Sequence, residues 1–320
     1  MMRYVWLPAA LLLLSLGAAT MPAPPTPASL RSPLRIATWN LEWLVTPETA
    51  HAARLACRSG VRSTLPCDVA RRARDSADIA RLAAYAGMAD ADVFAFQEVE
   101  SAAIAGRVFN GYDICIAPGR GLQHVGFAVR RGLPHRCGPP LDSLSLGGRQ
   151  RPGLTLWIAP GTSAAMEILA VHLKSGCADA DVESGAASCV LLLQQARALS
   201  EWIASHSKSE RFLVLGDFNR SDADTANDLF WRLLAGDDTG PPSFMHAGEG
   251  SAFRNCDRGA PYSRAIDHIL VGGQLREALQ QGSYLRLRYR SLDAMRYRLS
   301  DHCPVRISLI SDLPATTVLH

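Results

Sequence analysis

The chain has 320 residues, 48% hydrophobic and 20% charged, with a formal net charge of +3. That composition suits a soluble globular protein of one large or two small domains, and so mild a charge selects no partner by itself. Lys174 and Lys208 are the only lysines, and so arginine-rich a balance reflects base composition more readily than nucleic-acid binding.

The N-terminus reads as a secretory signal over residues 1–19. Arg3 supplies the positive start, Val5 to Leu16 is too short for a comfortable membrane span, and Gly17-Ala18-Ala19 offers small residues for cleavage. An uncleaved anchor is the competing reading. Residues 20–33, rich in proline, threonine and serine, read as an extended linker. Apolar runs at Leu34 to Ala37, Val93 to Phe96, Gly126 to Val129, Leu154 to Ile158, Ile168 to Val171, Phe212 to Leu215, Ile266 to Val271, Tyr284 to Tyr289 and Val305 to Ile310 predict strands. Helical spacing predicts helices over Asp68 to Ala86, Val190 to Ala204 and Asp224 to Leu234, the last capped by Asp224 or Thr225. Strands outnumber helices and several are joined by short turns. That favours mixed or antiparallel sheets with helices outside over a doubly wound parallel sheet. No repeat or composition break divides residues 34–311, which read as one domain followed by a tail at 312–320.

An exported chain with eight cysteines is expected to form disulfides. Cys57 and Cys67 flank a polar, loop-like insert, and Cys177 and Cys189 flank another, so these two pairings are favoured. Cys115, Cys137, Cys256 and Cys303 stay open. No C-x-x-C pair occurs, which argues against a cysteine-held zinc.

Polar islands stand at the edges of the strand-like runs: Thr38-Trp39-Asn40-Leu41-Glu42, Gln97-Glu98, His172-Leu173-Lys174, Asp217-Phe218-Asn219, Asp267-His268 and Ser300-Asp301-His302. Apolar strands that end in carboxylate, amide or imidazole deliver those groups to one rim of a sheet. Taken singly, each island reads as a turn, cap or surface residue. Converging, they supply the parts for metal-assisted phosphoester hydrolysis: oxygen ligands for a divalent ion, a group to activate water, and donors for the phosphoryl oxygens. Oxygen-rich ligands suit Mg2+, Mn2+ or Ca2+ better than zinc.

With Phe96-Gln97-Glu98-Val99, Val171-His172-Leu173, Leu215-Gly216-Asp217-Phe218-Asn219, Ile266-Asp267-His268-Ile269 and Ser300-Asp301-His302-Cys303-Pro304-Val305 added to the first island, the chain resembles the endonuclease/exonuclease/phosphatase superfamily. The resemblance implies an α/β (α+β), DNase I-like four-layer sandwich: two mixed β-sheets packed face to face, helices outside, the active site at one rim. It implies Glu98 as main metal ligand with Asn40 and Asp301 beside it, and Glu42 at a second ion or just outside the first. Asp217 and Asn219 would position water and phosphate, Asp267 would orient His302, and His302 would activate water. One departure matters. Where DNase I-like enzymes carry a Glu that supports the histidine at the place of His172, this chain reads Gln123-His124, so a stabilising role for His172 is favoured over a general acid.

Nucleic acid is the first substrate candidate. Lys174 is a candidate phosphate contact, and Arg286, Arg288 and Arg290 would share one face of a strand and track a phosphate backbone, or simply form a solvated face. Arg71, Arg72 and Arg74 read as plain helix surface. A small phosphoester or a phospholipid headgroup is the alternative, and a non-catalytic binding protein on the same scaffold a third. A secreted or periplasmic monomer without a stable membrane anchor is expected.

Overall fold

The computed structural model describes residues 33–59, 65–119, 121–206, 210–222, 225–236, 243–256 and 263–310. The signal at 1–19, all but the last residue of the linker, the tail at 312–320, Lys208 and the candidate cap Asp224 lie outside the described residues.

The strands are β1 (Leu34–Leu44), β2 (Val93–Val99), β3 (Tyr112–Ile116), β4 (His124–Arg130), β5 (His135–Leu141), β6 (Gly153–Ile158), β7 (Met166–His172), β8 (Arg211–Asp217), β9 (Phe244–His246), β10 (Asp267–Gly273), β11 (Leu285–Arg286) and β12 (Val305–Leu309). The helices are α1 (Pro47–Ser59), α2 (Cys67–Arg71), α3 (Ser76–Ala89), α4 (Ala102–Val108), α5 (Ala187–Ser205), α6 (Leu229–Ala235), α7 (Leu275–Ala278) and α8 (Ser291–Arg296). Two six-stranded sheets result, in the orders β11-β12-β1-β2-β4-β3 and β5-β6-β7-β8-β10-β9. Each is mixed: β1 runs parallel to β2 and β7 to β8, while the other ladders are antiparallel. The expected sandwich of two mixed sheets is thus what these residues form.

The two-residue period of a strand sorts the side chains into layers. Leu34 and Ile36 of β1, Val93 and Ala95 of β2, Ile168 and Ala170 of β7, Leu213 and Leu215 of β8, and Ile269 and Val271 of β10 meet between the sheets. The alternate residues Ala37, Trp39, Phe94 and Phe96 turn outward beneath α3 and α4. On the other sheet Leu169, Val171, Phe212, Val214 and Leu270 pack under α5 and α6. Each large apolar side chain so buried contributes roughly 1.5–3 kcal/mol.

Several local expectations are corrected. The helix expected over Asp68 to Ala86 breaks in two, because Asp75 caps α3, accepting from Ala77 N and Asp78 N in a capping box with Asp78. Asp228, not Thr225, caps α6, its side chain accepting from Phe230 N and Trp231 N. Of the run Tyr284 to Tyr289 only Leu285 and Arg286 pair with β12, so Arg286, Arg288 and Arg290 do not line a strand face. α1, α4, α7, α8, β3, β5 and β9 were not foreseen.

Four disulfides form: Cys57–Cys67, Cys115–Cys137, Cys177–Cys189 and Cys256–Cys303. The first and third are the favoured loop closures. Cys115–Cys137 joins β3 to β5, the edge strands of the two sheets, and Cys256–Cys303 ties a loop to the residue after His302. Among the described residues no helix is long and apolar enough to cross a membrane.

Candidate active site at the rim of the sandwich

Register brings the islands together. Across the second sheet His172 stands opposite Asp217, and Asp217 opposite Asp267, while Asn40 stands opposite Gln97 in the first. Each continues the inward-facing series of its strand, so the polar groups enter the space between the sheets just where the apolar core ends. Gly216 permits the close approach of β7 and β8: a Cβ there would lie 2.0 Å from the Val171 carbonyl oxygen. Of the seven non-glycine residues with positive φ among the described residues, three belong to the islands, Glu42 (46°), Glu98 (60°) and Asn219 (50°), and a fourth, Trp43 (53°), directly follows one. Backbone strain of this kind costs on the order of 1 kcal/mol or more per residue and persists where the surroundings enforce it.

Asp217 is the hub. Its Oδ2 accepts from Asn40 Nδ2 at 3.0 Å and lies 3.6 Å from His172 Nε2 and 3.9 Å from His302 Nε2; its Oδ1 accepts from Asn219 N at 2.8 Å. Both Asp267 oxygens stand 2.9 Å from His302 Nδ1, which donates to them, leaving Nε2 turned toward Asp217 and, at 3.8 Å, Asp301. Glu98 Oε1 is 3.6 Å from His172 Nε2 and 3.4 Å from Asn40 Nδ2. Ser300 Oγ donates to Asn40 O and accepts from His302 N. Trp39 Nε1 donates to His302 O at 3.2 Å, and Tyr289 OH also reaches that carbonyl. The His302 loop is therefore bolted to β1, and the two sheets share one site.

The sequence over residues 37–302, most of the chain, matches the model of the Endonuclease/Exonuclease/phosphatase family. The chain belongs to this family. A search of curated protein sequences finds no match. Among solved structures of similar fold are TDP2 of D. rerio complexed with a single-strand DNA product (18% identity, TM-score 0.55, 87% of this chain and 98% of that one), the mannosyl-6-phosphatase Bt3783 of Bacteroides thetaiotaomicron (15%, 0.50, 87% and 99%) and ANGEL2, a 2',3'-cyclic phosphatase (15%, 0.53, 89% and 97%). At these identities the likeness concerns the fold.

The electrostatics of this family member are those of crowded buried carboxylates. Burial, with repulsion from Asp267, pushes Asp217 up to about 7 against the pull of His302 and the amides of Asn40 and Asn219. Burial and the neighbouring Asp301 push Glu42 up to about 7 against Arg74 and Arg72. Burial disfavours a charged ring at His302, but Asp267, Asp217 and Asp301 outweigh it and raise the imidazole to about 10. His172 goes the other way: burial, Arg151 and His302 hold it well below the ordinary histidine value, so it is neutral. Ligand atoms of Asp217, Asp267 and His302 lie within 4.8 Å of one another, and Glu98 and Asp301, both half-buried, flank them on the solvent side. An oxygen-rich donor set with this excess of carboxylate fits a hard divalent cation.

The remaining expected residues are placed differently. Glu42 does not face the cluster: its carboxylate meets Arg72 at 2.6 Å and Arg74 at 3.5 Å and accepts from Asp301 N. Arg286 lies 3.8 Å from Asp267, over the ring of Phe253, with Nη2 buried and without a hydrogen-bond partner among the described residues. Arg288 is exposed and donates to Asn255 O, and Lys174 Nζ donates to Ser175 O. Gln123 accepts from Arg151 Nη1, and His172 Nδ1 is buried without a hydrogen-bond partner among the described residues, so the supporting carboxylate is absent there.

Two arginines escaped the sequence reading. Arg74, read as surface, is buried and donates to the carbonyls of Glu42, Arg298 and Leu299. Its place just before the Asp75 cap is the signal that was available. Arg151 donates to the carbonyls of His172 and Leu173, and no neighbouring motif marks it.

Proposed function

We propose that the protein is an exported, divalent-metal-dependent phosphodiesterase that hydrolyses nucleic acid by in-line attack of water. The observation that carries this reading is the Asp267–His302 pair aimed at Asp217 beside Glu98 and Asp301. Glu98, Asp301 and Asp217, with Asn40 beside them, would hold the ion, for which Mg2+ or Mn2+ is the first choice. Bound there, the ion supplies Lewis-acid polarisation of a phosphoryl oxygen.

The chain's own groups do the rest. Asp267 fixes the His302 ring so that Nε2 faces the reacting space. His302 holds a proton as long as the surrounding carboxylates are uncompensated, so its competence as a base is linked to their occupation. Neutral His172 donates one N–H to a phosphoryl oxygen, and Asn219, in its enforced left-handed conformation, presents its island to the phosphate. Glu42, held by Arg72 and Arg74, acts through Asp301, whose backbone N–H it accepts. Arg286, whose Nη1 lies 3.8 Å from Asp267 and whose buried Nη2 has no hydrogen-bond partner among the described residues, favours a phosphate-rich substrate. Four disulfides and the N-terminal sequence support export to an oxidising compartment.

The test is a substrate panel with the mature, disulfide-bonded protein: supercoiled plasmid, single-stranded DNA, RNA, a sugar phosphate and sphingomyelin vesicles, each in Mg2+, Mn2+, Ca2+ or EDTA. Cleavage of a nucleic acid in Mg2+ or Mn2+, and none in EDTA, is expected. Hydrolysis of the sugar phosphate or lipid alone would replace the nuclease reading with a phosphatase or lipid phosphodiesterase. Inactivity on every substrate with every ion would favour a binding protein.

A further inference from the structure

On β10 the side chain after Asp267 leaves the rim. His268 points to the outer face of the second sheet, under α6, where Phe218 and Trp231 meet its ring edge-on at 5.5 and 5.0 Å. Trp231 also stacks on His246 of β9, the edge strand, at 5.2 Å. His268 Nε2 lies 2.8 Å from Arg220 O. A carbonyl only accepts, so Nε2 carries the proton and Nδ1 presents its lone pair on the other side. Nδ1 is 2.8 Å from His246 Nε2, and a carboxylate oxygen of Asp222 completes a set of three ligand atoms within 4.8 Å of one another.

We propose that Asp222, His246 and His268 form a second metal site, separate from the rim, that takes Zn2+. Two imidazole nitrogens and one carboxylate oxygen are donors that zinc prefers and magnesium does not, and three protein ligands leave a fourth position for water. A ligating histidine whose other nitrogen donates to a backbone carbonyl is the usual supporting arrangement, and Arg220 O provides it. The support is rigid. Arg220 Nη1 donates to Cys177 O and Ala180 O at 2.7 and 2.6 Å, its Nη2 pairs with Asp228, and Trp231 Nε1 donates to Ser221 O at 2.7 Å. Zinc at about 2.0–2.1 Å from each ligand separates two tetrahedral donors by about 3.3 Å, so the rings need to part by only about half an ångström. The ion would clamp three segments together: the turn after Asn219, the three-residue edge strand β9, and β10, which carries Asp267.

The rival account is a plain histidine–histidine hydrogen bond. Zinc binding to chelator-stripped, disulfide-bonded protein separates the two, measured as zinc per chain after desalting in excess Mg2+ and as the zinc-dependent rise in Tm. The wild type should retain one zinc. Asp217→Asn, which disables the rim cluster, should retain it as well. His246→Gln and Asp222→Asn should each weaken it by roughly tenfold or more and lose the Tm rise. Asp222→Asn changes a half-buried side chain by one atom, so a folding failure of His246→Gln would leave the test intact. Zinc that is lost in Asp217→Asn and kept in Asp222→Asn would place the ion at the rim and overturn the proposal, as would a wild type that retains none.

Discussion

Asp267 and His268 are consecutive residues on one strand, yet each belongs to a different chemistry. On the inner side Asp267 joins Asp217 and His302, where carboxylates outnumber cations, Asp217 is pushed up to about 7, and the flanking islands hold Glu42, Glu98 and Asn219 at positive φ. On the outer side His268 joins His246 and Asp222. There the donors are mostly imidazole, the walls are Trp231 and Phe218, burial holds both rings below the ordinary histidine value, and none of the three residues has positive φ. The inner cluster is strained and electrostatically unbalanced; the outer one is relaxed and nearly self-satisfied. Strain and unsatisfied charge favour the rim as the proposed reacting centre, and their absence suits the outer cluster to the proposed role of a clamp.

The largest expected effect falls on the rim alone. Asp217→Asn and His302→Ala should each lower phosphodiester turnover by about 10³-fold or more, with the outer cluster unaffected. Comparable turnover in either variant would remove that residue from the reacting centre. His172→Ala should cost about 10²-fold in kcat with KM little changed, as expected of a donor that acts mainly on the transition state. An unchanged kcat on every accepted substrate would exclude it.

The supporting arginines sharpen the comparison through stability. Arg74→Ala leaves three carbonyls without their donor and takes from the buried Glu42 carboxylate its buried arginine partner, and should destabilise the fold by about 3 kcal/mol in denaturant unfolding. Arg72→Ala removes a partner that is half-exposed and should cost less than about 1 kcal/mol. Equal losses would mean that Glu42 does not depend on Arg74 in particular.

Proton linkage gives a smaller effect with a definite sign. Asp217 and Glu42 titrate near 7 in the folded chain, above their ordinary values of 3.8 and 4.5. Between about pH 4 and 7 the folded state thus binds more protons than the unfolded one, and the contribution of these groups to stability falls as pH rises through that window. A divalent ion that replaces the proton of Asp217 helps more once that proton is gone. Mg2+ should raise Tm more at pH 8 than at pH 5.5, and equal rises would contradict the crowding of carboxylates at the rim. The smallest effect is expected for Arg288→Ala, whose exposed guanidinium donates to Asn255 O and whose loss should leave turnover within about twofold.

Much of the rim was legible in the sequence because a polar residue at the end of a period-two apolar run has one place to go. His172 and Asp217 each follow two inward-facing apolar residues on their own strand and Asp267 precedes two on antiparallel β10, so their convergence needed only the right strand order. The outer cluster was not legible. Asp222, His246 and His268 come from the segment after β8, a three-residue edge strand and the outward side of β10, and the pairings of β9 and β8 with β10 bring them together. The arginine row failed for a related reason: alternation defines a face only while a strand lasts, and β11 lasts two residues. Arg74 was misread because helical spacing ran through it, whereas the Asp75 cap begins a new helix one residue later. The Cys115–Cys137 pairing depends on which sheet edges face each other, which neither spacing nor composition encodes.

The central claim is that the rim cluster is a metal-dependent phosphodiesterase site. The most direct measurement is the rate at which metal-depleted wild type and Asp217→Asn nick supercoiled plasmid before and after Mg2+ is restored. Nicking that is absent without the ion, returns with it in the wild type and stays absent in Asp217→Asn is the predicted result. Undiminished nicking by the metal-depleted wild type, or by Asp217→Asn, would contradict it.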